Sequence, residues 1–351
     1  MKRLILLLFA VVYFLPLHAY LIMVDVDGLR YYVNPLTEEC GVEDGSNCSG
    51  EVVINATITY ENKQYPVTAI GYRAFSNCHD LTSVIIPNSV KIIRESAFAY
   101  CSNLSNIIIP NSVTDIDSEA FLKCSGLTSV TLSNSLTTIG NDVFSYCTAL
   151  TSITIPAPIT YIGSTMFCKC TGLTSVNIAN SVRTIEAQAF SGCTSLTSIT
   201  IPDSVESIGY GSFSGCRSLV SIEIGSGTKI IEDEVFYDCN ALRSIKVDAQ
   251  NPPEVGKYTF NDNHYDSAVL YVPKDSKELY ETSWPWEYFL HIDTTDNYKP
   301  SDSGINEVEL GDDEQFTIYN LNGVKIGDSF DGLPKGIYIV RHNSQISKIA
   351  I

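Results

Sequence analysis

Basic residues are scarce in this sequence. Its 22 Lys and Arg stand against 40 Asp and Glu, a formal net charge of −18 over 351 residues. Nucleic acid and anionic membrane surfaces are poor partners for such a chain. Histidine is scarcer: only His79, His264, His291 and His342 follow the first 20 residues. Metal clusters of the Cys-x-x-Cys and His type therefore lack ligands, and no metal or cofactor is expected. There is no Gly-rich phosphate loop, no His-Glu-x-x-His, no Gly-x-Ser-x-Gly, and no Cys or Ser with a His partner in register. The common enzyme classes lose their signatures, so no catalytic residue is expected. No long apolar run occurs after residue 19, so no transmembrane segment is expected in the mature chain.

What is present is a strict beat of 23 residues. Cysteine keeps it at Cys78, Cys101, Cys124, Cys147, Cys170, Cys193, Cys216 and Cys239. Phenylalanine keeps it from Phe75 to Phe236, and leucine from Leu81 to Leu242. A period without insertions means a solenoid, because one extra residue would push a turn's core out of line with its neighbours. Within each unit, a segment such as Leu81-x-x-Val84-x-Ile86 reads as a strand, and Pro87, Pro110, Pro156 and Pro202 stop it. No unit buries its apolar residues alone; stacked turns bury them against each other. Parallel strands about 4.8 Å apart make eight turns a rod on the order of 40 Å long. The expected fold is an α/β-type repeat, mainly β: a solenoid of about eight 23-residue turns with a parallel sheet on one face, N- and C-terminal caps and a small C-terminal β-meander.

One sulfur per turn reads as a column of buried free thiols rather than a metal site or a disulfide ladder. Equivalent Cβ atoms in stacked turns sit near the strand spacing, beyond the roughly 3.5–4.5 Å that a disulfide needs. Three cysteines fall off the beat. Cys40 and Cys48 bracket an acidic Gly-rich loop and read, in an exported protein, as a local disulfide. Cys168 is either a free thiol or the partner of another chain.

The start, MKRLILLLFAVVYFLPLHA, has a basic pair, an apolar run and a small residue at Ala19, the pattern of a secretory signal peptide over 1–19. Residues 20–66 alternate as a β cap, and 67–247 form the solenoid. Residues 248–292 hold both tryptophans, Trp284 and Trp286, and read as an aromatic cap, with sugar stacking the competing use. A polar linker, 293–310, precedes a small β module at 311–351. Acidity concentrates in the flanks: residues 20–69 carry eight acidic and two basic residues, and 248–351 carry eighteen and eight.

The strand face offers the candidate binding residues. One outward column runs Ser83, Asn106, Ser129, Ser152, Ser175, Ser198, Ser221, Ser244. The next runs Ile85, Ile108, Thr131, Thr154, Asn177, Thr200, Glu223, Lys246. Stacked hydroxyls and amides make a flat hydrogen-bonding surface, and Ile85 with Ile108 forms a small apolar anchor. The competing reading is plain solvation, since Thr suits any exposed strand. Glu232-Asp233-Glu234 reads as a solvated acidic turn rather than a calcium site.

The elements Ala97-Phe98-x-x-Cys101 and Leu104-x-x-Ile107-x-Ile109-Pro110 resemble the BspA-like leucine-rich repeat of Bacteroidetes surface proteins. The resemblance covers residues 67–247. The ending, with Tyr319-Asn320-Leu321-Asn322-Gly323 and Lys335-Gly336-Ile337-Tyr338, is similar to the sorting tail of type nine secretion. These resemblances imply a secreted or cell-surface bacterial protein, outside the outer membrane, that adheres to host matrix or other bacterial surface proteins. A glycan-binding module and a structural spacer are the alternatives.

Overall fold

The computed structural model describes residues 21–299, together with the backbone of four strands between 316 and 350. The expected leader and most of the expected linker lie outside the described residues. The chain is a mainly β parallel solenoid of about ten turns, so the winding runs past the eight turns that keep the strict beat.

The N-terminal end opens with three antiparallel strands, β1 (Ile22–Val26), β2 (Leu29–Asn34) and β3 (Glu39–Asp44). β4 (Gly50–Val53) follows, then a hairpin of β5 (Thr57–Tyr60) and β6 (Lys63–Pro66). β4 is the first rung of the strand face and pairs parallel with Leu81–Ile85. Successive rungs from Asn106–Ile108 to Ser244–Val247 repeat at 23 residues, and Val269–Val272 and His291–Thr294 complete the face. A second set of parallel two-residue strands runs in two ladders, from Ala69–Ile70 to Thr138–Ile139 and from Tyr161–Ile162 to Glu254–Val255, with β3 paired to its first rung.

The turns between these ladders also bond to their neighbours. Arg73, Phe75 and Asn77 donate their backbone N–H to Glu95, Ala97 and Ala99, and the pattern recurs up the rod. It needs left-handed residues at fixed places, such as Glu119 (φ 59°) and Lys123 (φ 58°). A left-handed non-glycine residue costs about 1 kcal/mol, offset here by backbone groups that would otherwise be unpaired.

Phe75 to Phe236 form a continuous stack, with ring centroids 5.0–6.1 Å apart and planes within 16°. Phe260 extends it at 5.5 Å. Beside it, all eight on-beat thiols are buried. Cys101 Sγ donates to the Phe75 carbonyl at 3.1 Å, and so does each later thiol to the phenylalanine 26 residues before it. Burial pushes Cys170 and Cys239 up to about 12, which keeps the proton that this bond requires.

The expected Cys40–Cys48 bridge is not formed; both are free thiols. Cys48 belongs to the thiol column instead. Its N–H bonds Gly45 O at 2.9 Å, as Cys78 N–H bonds Phe75 O, and Cys78 Sγ donates to Gly45 O at 3.2 Å. Gly45-Ser46-Asn47-Cys48 is thus a turn equivalent to Phe75-Ser76-Asn77-Cys78. Glycine replaces phenylalanine because a Cβ there would lie 2.3 Å from the Phe75 ring. Cys168 is a half-buried free thiol.

At the other end, Trp286 and Tyr280 are fully buried, and their polar tips bond Pro253 O and Ala249 O. α1 (Asp262–Ser267) starts with a capping box. His264, also fully buried, accepts from Asn261 N–H at Nδ1 and bonds Cys239 O through Nε2 at 3.0 Å. The ring is therefore the neutral Nε2–H tautomer, and burial holds its pKa below the usual value. As pH falls through about 6.5, the unfolded chain takes a proton that the folded chain refuses, so stability is lost toward the lower folded pKa. Urea midpoints measured between pH 7.5 and 5.5 are expected to fall more steeply for the wild type than for His264→Gln. Equal slopes would exclude His264 as the source.

The C-terminal strands Phe316–Tyr319, Lys325–Gly327, Ile337–His342 and Gln345–Ala350 form an antiparallel sheet. It departs from a strict meander, since Phe316–Tyr319 lies between the second and third strands. The short Lys325–Gly327 sits at the edge, where little pairing is lost.

Candidate functional site

Because the strand period is two, alternate residues of each rung face out, and the parallel register lines them into columns. Val53 lies beside Ile85, Ile108 beside Thr131, and Thr154 beside Asn177. The column continues as Thr200, Glu223, Lys246, Tyr271 and Asp293. It grades from apolar through hydroxyl and amide to charged. Val53, Ile85 and Ile108 are 53, 51 and 67 % exposed, so the apolar anchor has a third member that lies outside the strict repeats.

All twelve candidate residues from Ser83 to Thr200 sit on this face. Asn106, Ser129 and Ser152 are exposed, while Ser83, Ser175 and Ser198 are half-buried. The serine column is not outward along its whole length: Ser221 and Ser244 are buried, with their hydroxyls unpartnered.

A third column separates structural hydroxyls from available ones. Ser105, Thr128, Thr151 and Thr174 each donate to the carbonyl of the residue 23 positions earlier, at 2.9–3.4 Å. These hydroxyls are spent on the rod. Thr131, Thr154 and Thr200 make no such bond among the described residues and project into solvent.

The face is closed at its C-terminal end. Residues 293–298, polar enough to read as linker, complete the last strand and fold over it. Tyr298 OH donates to Glu223 at 3.1 Å and its ring meets Tyr271 edge-on at 5.1 Å. Lys246 Nζ lies 5.4 Å from the Tyr298 ring centre, 3.5 Å from Glu223 and 2.7 Å from Asp248. The open surface therefore runs from Val53 to Thr200.

The acidic turn is occupied by its own neighbours. Glu232 accepts from Tyr210 N–H, Asp233 from Lys257 N–H, and Glu234 from Tyr210 OH. No group of three ligating side chains is placed to hold a metal among the described residues. Just beyond, a cavity of about 450 Å³ is lined by Glu234, Tyr237, Tyr258, Thr259, Phe260 and Asn261. Tyr237 and Tyr258 stand exposed at its lip. Sequence reading missed it, although Tyr237 breaks a column otherwise made of Ser, Ala, Leu and Cys. Among the described residues, no helix is long and apolar enough to cross a membrane.

A model of the BspA type leucine-rich repeat region, in six copies, matches residues 55–174 and 160–284. No curated protein matches the chain. Among solved structures, a leucine-rich cell-surface protein of Faecalibacterium prausnitzii is 22 % identical with a TM-score of 0.56, over 83 % of this chain and 98 % of that one. At that identity the likeness is one of fold. The T. pallidum leucine-rich repeat protein is 30 % identical with a TM-score of 0.51, over 56 % of this chain and 90 % of that one.

Proposed function

The chain belongs to the BspA-type leucine-rich repeat family, and from that premise we propose that it is a secreted or cell-surface bacterial adhesin. It holds protein ligands on host matrix or on other bacteria through the open strand face, and it is not an enzyme. The leader-like start, the sorting-tail-like end and the cell-surface protein of like fold support this placement. The observation that carries the reading is the column of unbonded Thr131, Thr154 and Thr200 hydroxyls beside Asn177, flanked by the exposed Val53, Ile85 and Ile108. Solenoids present such extended faces to partners. An apolar anchor next to hydrogen-bonding groups supplies both area and orientation.

Ser152→Arg with Thr154→Arg is expected to weaken binding to a matrix or bacterial protein array by about tenfold or more, because two buried, unpaired charges oppose docking. The unfolding midpoint should hold, since both side chains are exposed. Unchanged affinity would remove the strand face from the reading.

A second reading rests on the cavity beneath Tyr237 and Tyr258. Two exposed rings, a carboxylate and an amide suit a sugar, with stacking on one side and hydroxyl pairing on the other. Binding confined to glycans, lost in Tyr258→Ala and kept in Thr154→Arg, would select it.

A further inference from the structure

The strand face has a free edge at its N-terminal end. β4 pairs with Leu81–Ile85 on one side, and no described strand lies on its other side. Backbone groups alternate between the two sides of a strand. Gly50 N–H bonds Asp80 O at 2.8 Å and Ile54 N–H bonds Ile85 O at 3.1 Å, so the even positions face the rod. Asn55 N–H turns the other way and is taken by Tyr31 OH at 3.2 Å. Glu51 and Val53 share that outward parity, and their backbone groups face the open side. That side is a cavity of about 550 Å³, walled by Asp27 and Gly28 of the β1–β2 turn, Asn47, Asn55 and the edge itself.

We propose that this edge takes an extended, basic segment of a partner protein as an added strand. Main-chain pairing to an open edge gives such segments their affinity, and alternate side chains give selectivity. Charge names the occupant. Asp27 and Glu51 line the cavity, and no Lys or Arg does. The two basic residues of 20–69 are already paired, Arg30 with Asp25 at 2.9 Å and Lys63 with Glu38 at 2.6 Å. A second copy of this acidic chain would meet its own charge, which leaves a basic partner.

Register names the side chains. Glu51 and Val53 project on one face, so an added strand sets Lys or Arg beside Glu51 and, two residues on, a β-branched residue beside Val53. That residue would prolong the exposed Val53, Ile85 and Ile108 column. The inference uses the backbone edge at the end of the rod; it shares Val53 with the open face and needs none of the hydroxyls from Thr131 to Thr200.

The test is an amide NMR titration of the mature chain with an end-blocked octapeptide, Lys-Thr-Val-Thr repeated twice, against the same peptide with Glu for Lys. The Lys peptide is expected to saturate in the low millimolar range or tighter, to protect the Glu51 and Val53 amides from exchange, and to bind at least tenfold better than the Glu peptide. Glu51→Pro and Val53→Pro each remove one outward N–H and leave the inward ladder in place, so each should abolish binding with the circular dichroism unchanged. Should either proline variant unfold, Glu51→Lys, an exposed change, is expected to reverse the preference between the two peptides. Thr154→Arg should leave binding intact, which separates this site from the strand face. No protection at Glu51 and Val53, equal binding of the two peptides, or full binding by a folded proline variant overturns the proposal.

Discussion

Phe144→Ala is expected to cost about 3–5 kcal/mol of stability. Phe144 is fully buried and stacks between Phe121 and Phe167, with centroids at 5.5 and 5.7 Å and planes within 7° on both sides. Near-parallel rings at these separations are offset, an arrangement worth roughly 0.5–1.5 kcal/mol per pair beyond area burial. Truncation removes both pairs and leaves a cavity. Its walls are backbone bonded turn to turn, as in Phe121 N–H to Val143 O and Phe144 N–H to Met166 O. Such walls relax little, so the cost should lie toward the upper end. A solenoid holds each turn only through its neighbours. The loss therefore falls on the coupling between the two halves of the rod. Urea unfolding should show a lower midpoint and a shallower or two-step transition, because the halves begin to melt separately. Tyr146→Ala, two residues away and 43 % exposed, is the control. It loses a cation contact from Lys123 at 5.5 Å and should cost under about 1 kcal/mol. A Phe144→Ala variant that unfolds in one sharp step near the wild-type midpoint would mean that the phenylalanine stack is not what couples the turns.

The middle of this rod was legible in the sequence because each turn solves its packing with the same residues at the same spacing. The ends solve it with different residues. Gly45 stands for phenylalanine, and Cys48 precedes Cys78 by 30 residues rather than 23 because the β5–β6 hairpin lies in between. Phe260 joins the ring stack 24 residues after Phe236. A fixed period passes over all three, and Cys48, which with Cys40 brackets an acidic Gly-rich loop, reads instead as half of a local disulfide. The face itself was read from alternation alone, and its candidate residues do lie together. Alternation sets the face a residue takes, not what it bonds, so it does not show that the Thr151 hydroxyl bonds Thr128 O while the Thr154 hydroxyl bonds nothing described. Nor does it show that Tyr298 closes the face over Glu223 and Lys246, since that contact spans 75 residues.

Deleting one whole turn should be tolerated, and deleting one residue fewer should not. Removal of residues 128–150 joins Leu127 to Thr151 and keeps the Leu-Thr-Ser order of the strand entry. Phe121 then stacks on Phe167, Cys170 Sγ reaches Phe121 O, and Thr151 donates to Ser105 O, each repeating a contact that other turns already make. The cost should be one turn's share of net stability, about 1–3 kcal/mol at the usual value per residue. Removal of 128–149 leaves an additional Leu150 at the junction. A one-residue slip turns every side chain of a strand to the opposite face. Ile153 and Ile155, both now buried, would point into solvent, and Ser152 and Thr154 would enter the core. Exposing two isoleucines costs about 3–6 kcal/mol, and burying two hydroxyls without partners adds about 1–3 kcal/mol each. A bulge is the one local remedy; the rod has one where β4 meets Leu81–Ile85, which leaves Thr82 unmatched opposite Gly50, whose φ is 69°. Neither rung that would face the slipped strand, 104–108 or 173–177, has a glycine to take that place. Circular dichroism and urea unfolding of both deletions should therefore give a folded, slightly less stable rod for 128–150. For 128–149 they should show a chain that has lost cooperative unfolding or at least about 5 kcal/mol more. Equal stability of the two would mean that register between turns is set by something other than the two-residue alternation of the strands.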